Sequence, residues 1–163
     1  MFVHREGAGA QAAAVAFDDW DAAEPLRSWT ARLPDIGKAA RDEADLRDLP
    51  CLLQLLHANA LQPELIVIDG CVHLDAQETP ALGQHLFHAL GSRVPVIGVS
   101  RSALPGLPAQ FEVAREAETR PLWVTCVGID LGAAKARLRA MHGKRRVPTL
   151  LKWVARLAKA PAP

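Results

Sequence analysis

At 163 residues and 17.6 kDa, half apolar and 23% charged, the chain has the size and make-up of one globular domain with a single core. That balance excludes a disordered chain, a collagen-like repeat and a heptad rod. The net charge of +1 is uninformative, but its distribution is not: residues 131–163 carry nine Lys/Arg and no acid, whereas residues 1–50 hold ten acids against six Lys/Arg. Such segregation points to an anionic partner. The cysteines, Cys51, Cys71 and Cys126, are odd in number and form no C-x-x-C pair. They argue against a disulfide framework or a structural zinc, and fit a reducing compartment.

The N-terminus carries a small-residue run, Ala12–Ala16, closed by Asp18 and Asp19. That is too short and too acidic for a signal peptide. No window approaches the roughly 18 to 20 apolar residues of a spanning helix. A soluble, cytoplasmic protein with no membrane partner is expected.

Ala12–Phe17 and Leu26–Leu33 read as strands joined into a hairpin by turn residues at Asp21–Pro25. A charged run, Lys38–Asp48, precedes Asp48-Leu49-Pro50, which reads as a helix start because proline is tolerated in the first turn. Leu52, Leu55, Leu56 and Ala60 form its core stripe. Leu65–Ile68 is a continuous apolar run, ending at Asp69-Gly70, as in a strand buried on both faces. A helix over about Pro80–Leu90, stopped by Gly91, and a second buried strand over Val94–Val99 complete a βαβ unit with parallel pairing. Arg101–Arg120 has no strong period and reads as a surface excursion. Leu122–Val127 is a third apolar strand. Asp130 stands at a helix N-cap before Leu131, Ala134, Leu138 and Met141. Gly143 ends that helix, and Pro148 starts the last one, with Leu150, Val154 and Leu157 inward. The fold class predicted is α/β: an N-terminal antiparallel hairpin feeding a mixed sheet flanked by helices, in one domain over 1–163 with basic C-terminal helices over 131–160.

Several segments, in order, carry a resemblance. They are Glu64-Leu65-Ile66-Val67-Ile68-Asp69-Gly70, Gly83 in the next helix, and Val94-Pro95-Val96-Ile97-Gly98-Val99-Ser100-Arg101. Pro121-Leu122-Trp123-Val124, Arg146-Val147-Pro148 and, upstream, Leu46-Arg47-Asp48-Leu49-Pro50 complete the set. Together they resemble the endonuclease V family over roughly residues 12–160. The resemblance implies an RNase H-like fold and a DNA-repair type of nuclease that cleaves near deoxyinosine in DNA, or inosine in RNA, with Mg²⁺.

Metal-assisted phosphodiester cleavage needs several carboxylates converging on Mg²⁺ or Mn²⁺. The resemblance implies that Asp69 is one ligand, at the C-terminal end of a central strand. Asp48 stands where the family has glutamate, with a reach shorter by about 1.5 Å; a helix-start acid favoured by the dipole is the alternative. The family's first-strand aspartate has no counterpart. The backward match puts its position just before Met1 and makes Phe2-Val3-His4-Arg5 the remnant of its strand. The acid is then either lost or encoded upstream.

Asp130 is a further candidate oxygen donor, or simply a cap. His73 and Asp75, in the loop after Asp69, reach towards the same mouth or form a solvated loop. Arg101 replaces the family's lysine and keeps a cation where a phosphate lies. The family's G-H-G reads Gly70-Cys71-Val72 here, and its G-H after the last strand reads Cys126-Val127. Its P-Y-I-P-G wedge has at best an echo in Pro34-Asp35-Ile36-Gly37, and the chain contains no tyrosine to fill an unstacked step.

Arg139, Lys144, Arg145 and Arg146 are the candidate nucleic-acid-binding residues. The reading favoured is an endonuclease V-like nucleic-acid-binding protein with an incomplete metal–carboxylate site, weakly active or inactive as a nuclease. The alternative is an active Mg²⁺-dependent endonuclease on inosine-containing DNA or RNA with a rearranged site. A third class, a scaffold or oligomerisation domain, predicts no salt-dependent DNA affinity.

Overall fold

The computed structural model describes residues 1–37, 46–115 and 120–161. Lys38–Asp45 of the charged run lies outside these residues. An antiparallel meander opens the chain: β1 (Phe2–Glu6), β2 (Gly9–Ala16) and β3 (Arg27–Leu33). The hairpin expected between the second and third of these is therefore preceded by a further paired strand. Alanine is a weak strand former, yet Ala10, Ala12, Ala13 and Ala14 are at most 5% exposed. Ala10, Ala12 and Ala14 face Leu52, Leu55 and Leu56, whereas Ala13 faces Val154 and Ala158. Small side chains on both surfaces of β2 let one helix close on each.

Those helices are α1 (Leu49–Ala58) and the last helix, labelled below. After α1 come β4 (Ile66–Asp69), α2 (Leu82–Ala89) and β5 (Val96–Ser100). β4 and β5 pair in parallel, with Asp69 beside Val99, as the βαβ reading requires. Within Arg101–Arg120 the structure differs from the expected surface excursion. β6 (Glu112–Val113) forms a sheet edge, with Val113 1% exposed and Arg115 5% exposed. Two residues are too few to reveal alternation.

β7 (Leu122–Val127) runs antiparallel to β5, followed by α3 (Leu131–Ala140) and α4 (Thr149–Lys159). Arg115 anchors the connection between α3 and α4. Its guanidinium donates to the carbonyls of Met141, Gly143 (3.0 Å) and Arg145 (2.6 Å).

Met1 joins the two sheets. Its amino group donates to the Val67 carbonyl at 2.6 Å, and its carbonyl accepts from the Asp69 amide at 3.0 Å. Burial pushes that amino group down from 8.0 to about 5, against the opposing pull of the Asp69 charge. Among the described residues no helix is long and apolar enough to cross a membrane.

Candidate active site

Asp69 is placed by close backbone packing. A Cβ at Gly98, on the neighbouring strand, would lie 2.8 Å from the Gly70 carbonyl oxygen and 2.9 Å from the Val72 nitrogen. Only glycine lets the chain after Asp69 fold down onto β5. Buried Thr125 then accepts a hydrogen bond from the Val72 amide at 2.8 Å, and the Gly70 amide donates to the Val99 carbonyl at 2.9 Å.

Arg101, just past the end of β5, donates from Nε (3.1 Å) and Nη2 (2.7 Å) to the same oxygen, Oδ2 of Asp69. Asp48, immediately before α1, is also held by an arginine, but through both of its oxygens. Arg5 Nε lies 2.7 Å from Asp48 Oδ1, and Nη2 lies 2.8 Å from Oδ2, a fork-on-fork pair. The Asp48 side chain does not cap α1; its carboxylate is turned to β1 instead. Asp69 and Asp48 thus each carry an internal cation.

The two ion pairs leave opposite faces of the sheet. Arg5 pairs in register with Ala10, whose side chain faces α1. Asp69 shares the other face with Val67 and borders a cleft of about 330 Å³ with Phe2, Arg101, Ala155 and Lys159. The hydrogen bonds of Met1 set it level with Ile68, so Phe2 stands level with Asp69 on the adjacent strand. Phe2 packs with Ala13, Val154 and Ala158 under the Lys159 ammonium, which sits 5.7 Å from its ring centroid. The place from which a first-strand carboxylate would share a metal with Asp69 is therefore occupied by an aromatic ring. A residue preceding Met1 in such a strand would be level with Val67, roughly 6.6 Å back.

Asp130 is not with these groups. Because β7 is antiparallel to β5, Val127 pairs with Val96, and the chain reaches Asp130 at the opposite end of the sheet from Asp69. Its carboxylate accepts from the Ala133 amide at 3.3 Å and caps α3. His73 and Asp75 stay in their own loop. Asp75 accepts from Thr79 Oγ1 at 2.6 Å and from the Thr79 amide at 3.0 Å, bonds that lower its pKa. Among the described residues no three His, Cys, Asp or Glu side chains converge. The residues present do not fit a divalent ion: Asp69 and Asp48 face apart, each closed by a guanidinium, with phenyl at the third position.

Of the basic candidates, Arg139, Lys144 and Arg145 are exposed. Arg146 is turned inward, donating to the carbonyls of Arg101, Arg120 (3.2 Å) and Pro121 (2.9 Å). In the loop Pro34–Gly37, Ile36 is half-buried while Pro34, Asp35 and Gly37 are exposed. The Ile36 amide donates to the Ala8 carbonyl at 2.9 Å and its side chain packs on the α1 core.

Cys126 Sγ donates to the Ile129 carbonyl at 3.2 Å, and burial, with the Asp130 charge second, pushes its pKa up to about 11. Alkylation by iodoacetamide at pH 8 is expected to leave Cys126 unmodified in the folded protein and to label it above about pH 10.5, read by peptide mapping. The raised value also removes stability as pH rises from 9 to 11, where the unfolded thiol ionises first. Sequence reasoning missed Arg5, Phe2 and Arg115 as determinants; nothing local in the sequence signals their partners.

No family model and no curated protein matches the sequence. Solved structures do. Streptomyces avermitilis endonuclease V is 25% identical with a TM-score of 0.72, covering 97% of this chain and 78% of that one. Ciona intestinalis endonuclease V, solved with a 23mer DNA containing an inosine followed by a ribo-adenosine, is 17% identical with a TM-score of 0.73, covering 94% and 78%. Bacillus subtilis endonuclease V is 16% identical with a TM-score of 0.62, covering 81% of this chain. The chain spans 64% of the Bacillus protein's length.

Proposed function

From its divergent endonuclease V-like, RNase H-like fold, we propose that this chain is a nucleic-acid-binding protein whose metal centre has given way to internal ion pairs, and which cleaves phosphodiester bonds weakly or not at all. One observation carries the reading: of the three carboxylates expected to hold the metal, Asp69 is engaged by Arg101 and Asp48 by Arg5, while Asp130 caps α3 at the far end of the sheet. A guanidinium is permanently charged and donates in a planar fork, so it satisfies a carboxylate without any ion. Mg²⁺ gives up its water reluctantly and gains little from an oxygen already so bound. Arg101 neutralises Asp69 and lines the cleft together with Lys159, a cationic rim suited to a backbone phosphate. The exposed Arg139, Lys144 and Arg145 supply further contacts that hold a phosphate chain without reading its bases.

Binding of a labelled 23mer duplex, with and without inosine, is expected to fall steeply as salt is raised. Changing Arg139, Lys144 and Arg145 together to Ala is expected to reduce the slope of log K against log salt by about 2.7. A slope unchanged by the triple substitution, or no salt-dependent affinity at all, overturns the proposal in favour of a scaffold domain.

A further inference from the structure

We infer that the groove between α4 and the outer strand β3 is a second nucleic-acid contact, in which the indole of Trp153 stacks on an unpaired base and Arg156 and Arg32 hold the adjoining phosphates. It rests on the nucleic-acid-binding reading above, and adds to it a site and the form of strand that fits.

α4 lies over β1 and β2. Val154 and Ala158 pack on Ala13, and the carbonyls of Leu157 and Ala160 accept from Gln11 Nε2 at 3.2 and 3.0 Å. Ala155 and Lys159 line the Asp69 cleft, so their flank of the helix faces β4. At 3.6 residues per turn Trp153 stands on the opposite flank, over β3, and Arg156 borders it on the solvent side. β3 turns its polar residues to the same face. Ser28, Thr30 and Arg32 pair with Val15, Ala13 and Gln11 of β2, and all three are exposed. Trp29, Ala31 and Leu33 alternate with them and pack on the α1 core.

The indole is free to receive a partner. Trp153 is half-buried, yet among the described residues it has no ring contact, no cation over its face and no hydrogen bond. By contrast, Phe17 and Trp20 meet edge to face, and Trp29 lies under Arg27. Arg156 and Arg32 are exposed and, among the described residues, equally unengaged. No acid occurs in β2, β3 or α4.

That combination selects the ligand. Two guanidiniums attract phosphate, and an indole offers a face on which any base can stack. Bases inside a duplex are already stacked on one another, so an unpaired nucleotide is what fits. An acidic peptide would satisfy the arginines but leave the indole without a planar partner.

The test uses the full chain and a labelled oligothymidylate of about ten nucleotides, beside an abasic strand of the same length and a duplex. Trp153→Leu is expected to weaken binding of the oligothymidylate by about 5- to 150-fold, and Trp153→Phe, which keeps a ring, by less than about threefold. Neither should change affinity for the abasic strand or the duplex by more than about twofold, since both present phosphates without a free base. The natural sequence supplies a readout that needs no variant: on irradiation, a strand carrying 5-iodouracil should attach to the tryptic peptide Trp153–Arg156. A loss in Trp153→Leu that is equal for all three probes overturns the inference. So do equal affinities of the natural sequence for oligothymidylate and abasic strand, attachment confined to other peptides, or displacement of the strand by polyglutamate of equal length. Salt-dependent duplex binding would still stand in each of those cases, whereas no affinity for any strand overturns both readings.

Discussion

Replacing Arg115 with methionine is expected to lower the thermal midpoint by about 6–12 °C. The guanidinium is buried and serves the Met141, Gly143 and Arg145 carbonyls at once. Methionine fills much of its volume but donates nothing, so buried acceptors lose their partners at a cost of about 1–3 kcal/mol each. Water reaches some of them, which leaves a net loss of about 3 kcal/mol, and each kcal/mol moves the midpoint by about 2–4 °C in a domain of this size. Thermal unfolding followed by circular dichroism measures it. A shift below 2 °C would mean that the connection between α3 and α4 is held by something else. The same variant should bind nucleic acid less tightly, because Lys144 and Arg145 sit on the segment that Arg115 fastens.

Millimolar Mn²⁺ is expected to leave the midpoint of the natural sequence unchanged within 1 °C, and to raise that of the double variant Phe2→Asp, Arg101→Ser by about 5–10 °C. The variant removes the cation from Asp69 and puts a second carboxylate level with it on the next strand. Occupancy at a hundred times the dissociation constant stabilises by about 2.7 kcal/mol, which sets the size of the shift. Phe2→Ala with Arg101→Ser, which lacks the new acid, is the control for lost packing. The matching activity measurement uses inosine-containing and plain oligonucleotides with Mg²⁺ or Mn²⁺. The natural sequence is expected to cut no faster than Asp69→Ala. Ion-dependent scission that vanishes in Asp69→Ala would sink the proposal of a metal-free site.

The three central strands were legible because a strand buried on both faces is mostly apolar, as Leu65–Ile68, Val94–Val99 and, but for Thr125, Leu122–Val127 are. The helix at Asp130 was legible because caps are local chemistry. Strand direction is not local. The hydrogen bonds that run β7 back against β5 are what separate Asp130 from Asp69, and no residue in either strand announces them. The aspartate–arginine pairs were hidden for the same reason, spanning 43 residues for Arg5–Asp48 and 32 for Arg101–Asp69. In the basic segment, counting charges overstates what solvent meets. Arg146 points inward at carbonyls, and Lys135 Nζ donates to the Gln110 carbonyl at 2.6 Å.

The union of Arg101 with Asp69 has one consequence for the physiology of such a domain. A dissociable ion leaves when it is chelated or scarce, whereas a guanidinium attached to the same backbone is present at a local concentration that no dialysis reduces. Neutralisation of this sheet edge is settled at translation, indifferent to EDTA and to magnesium starvation.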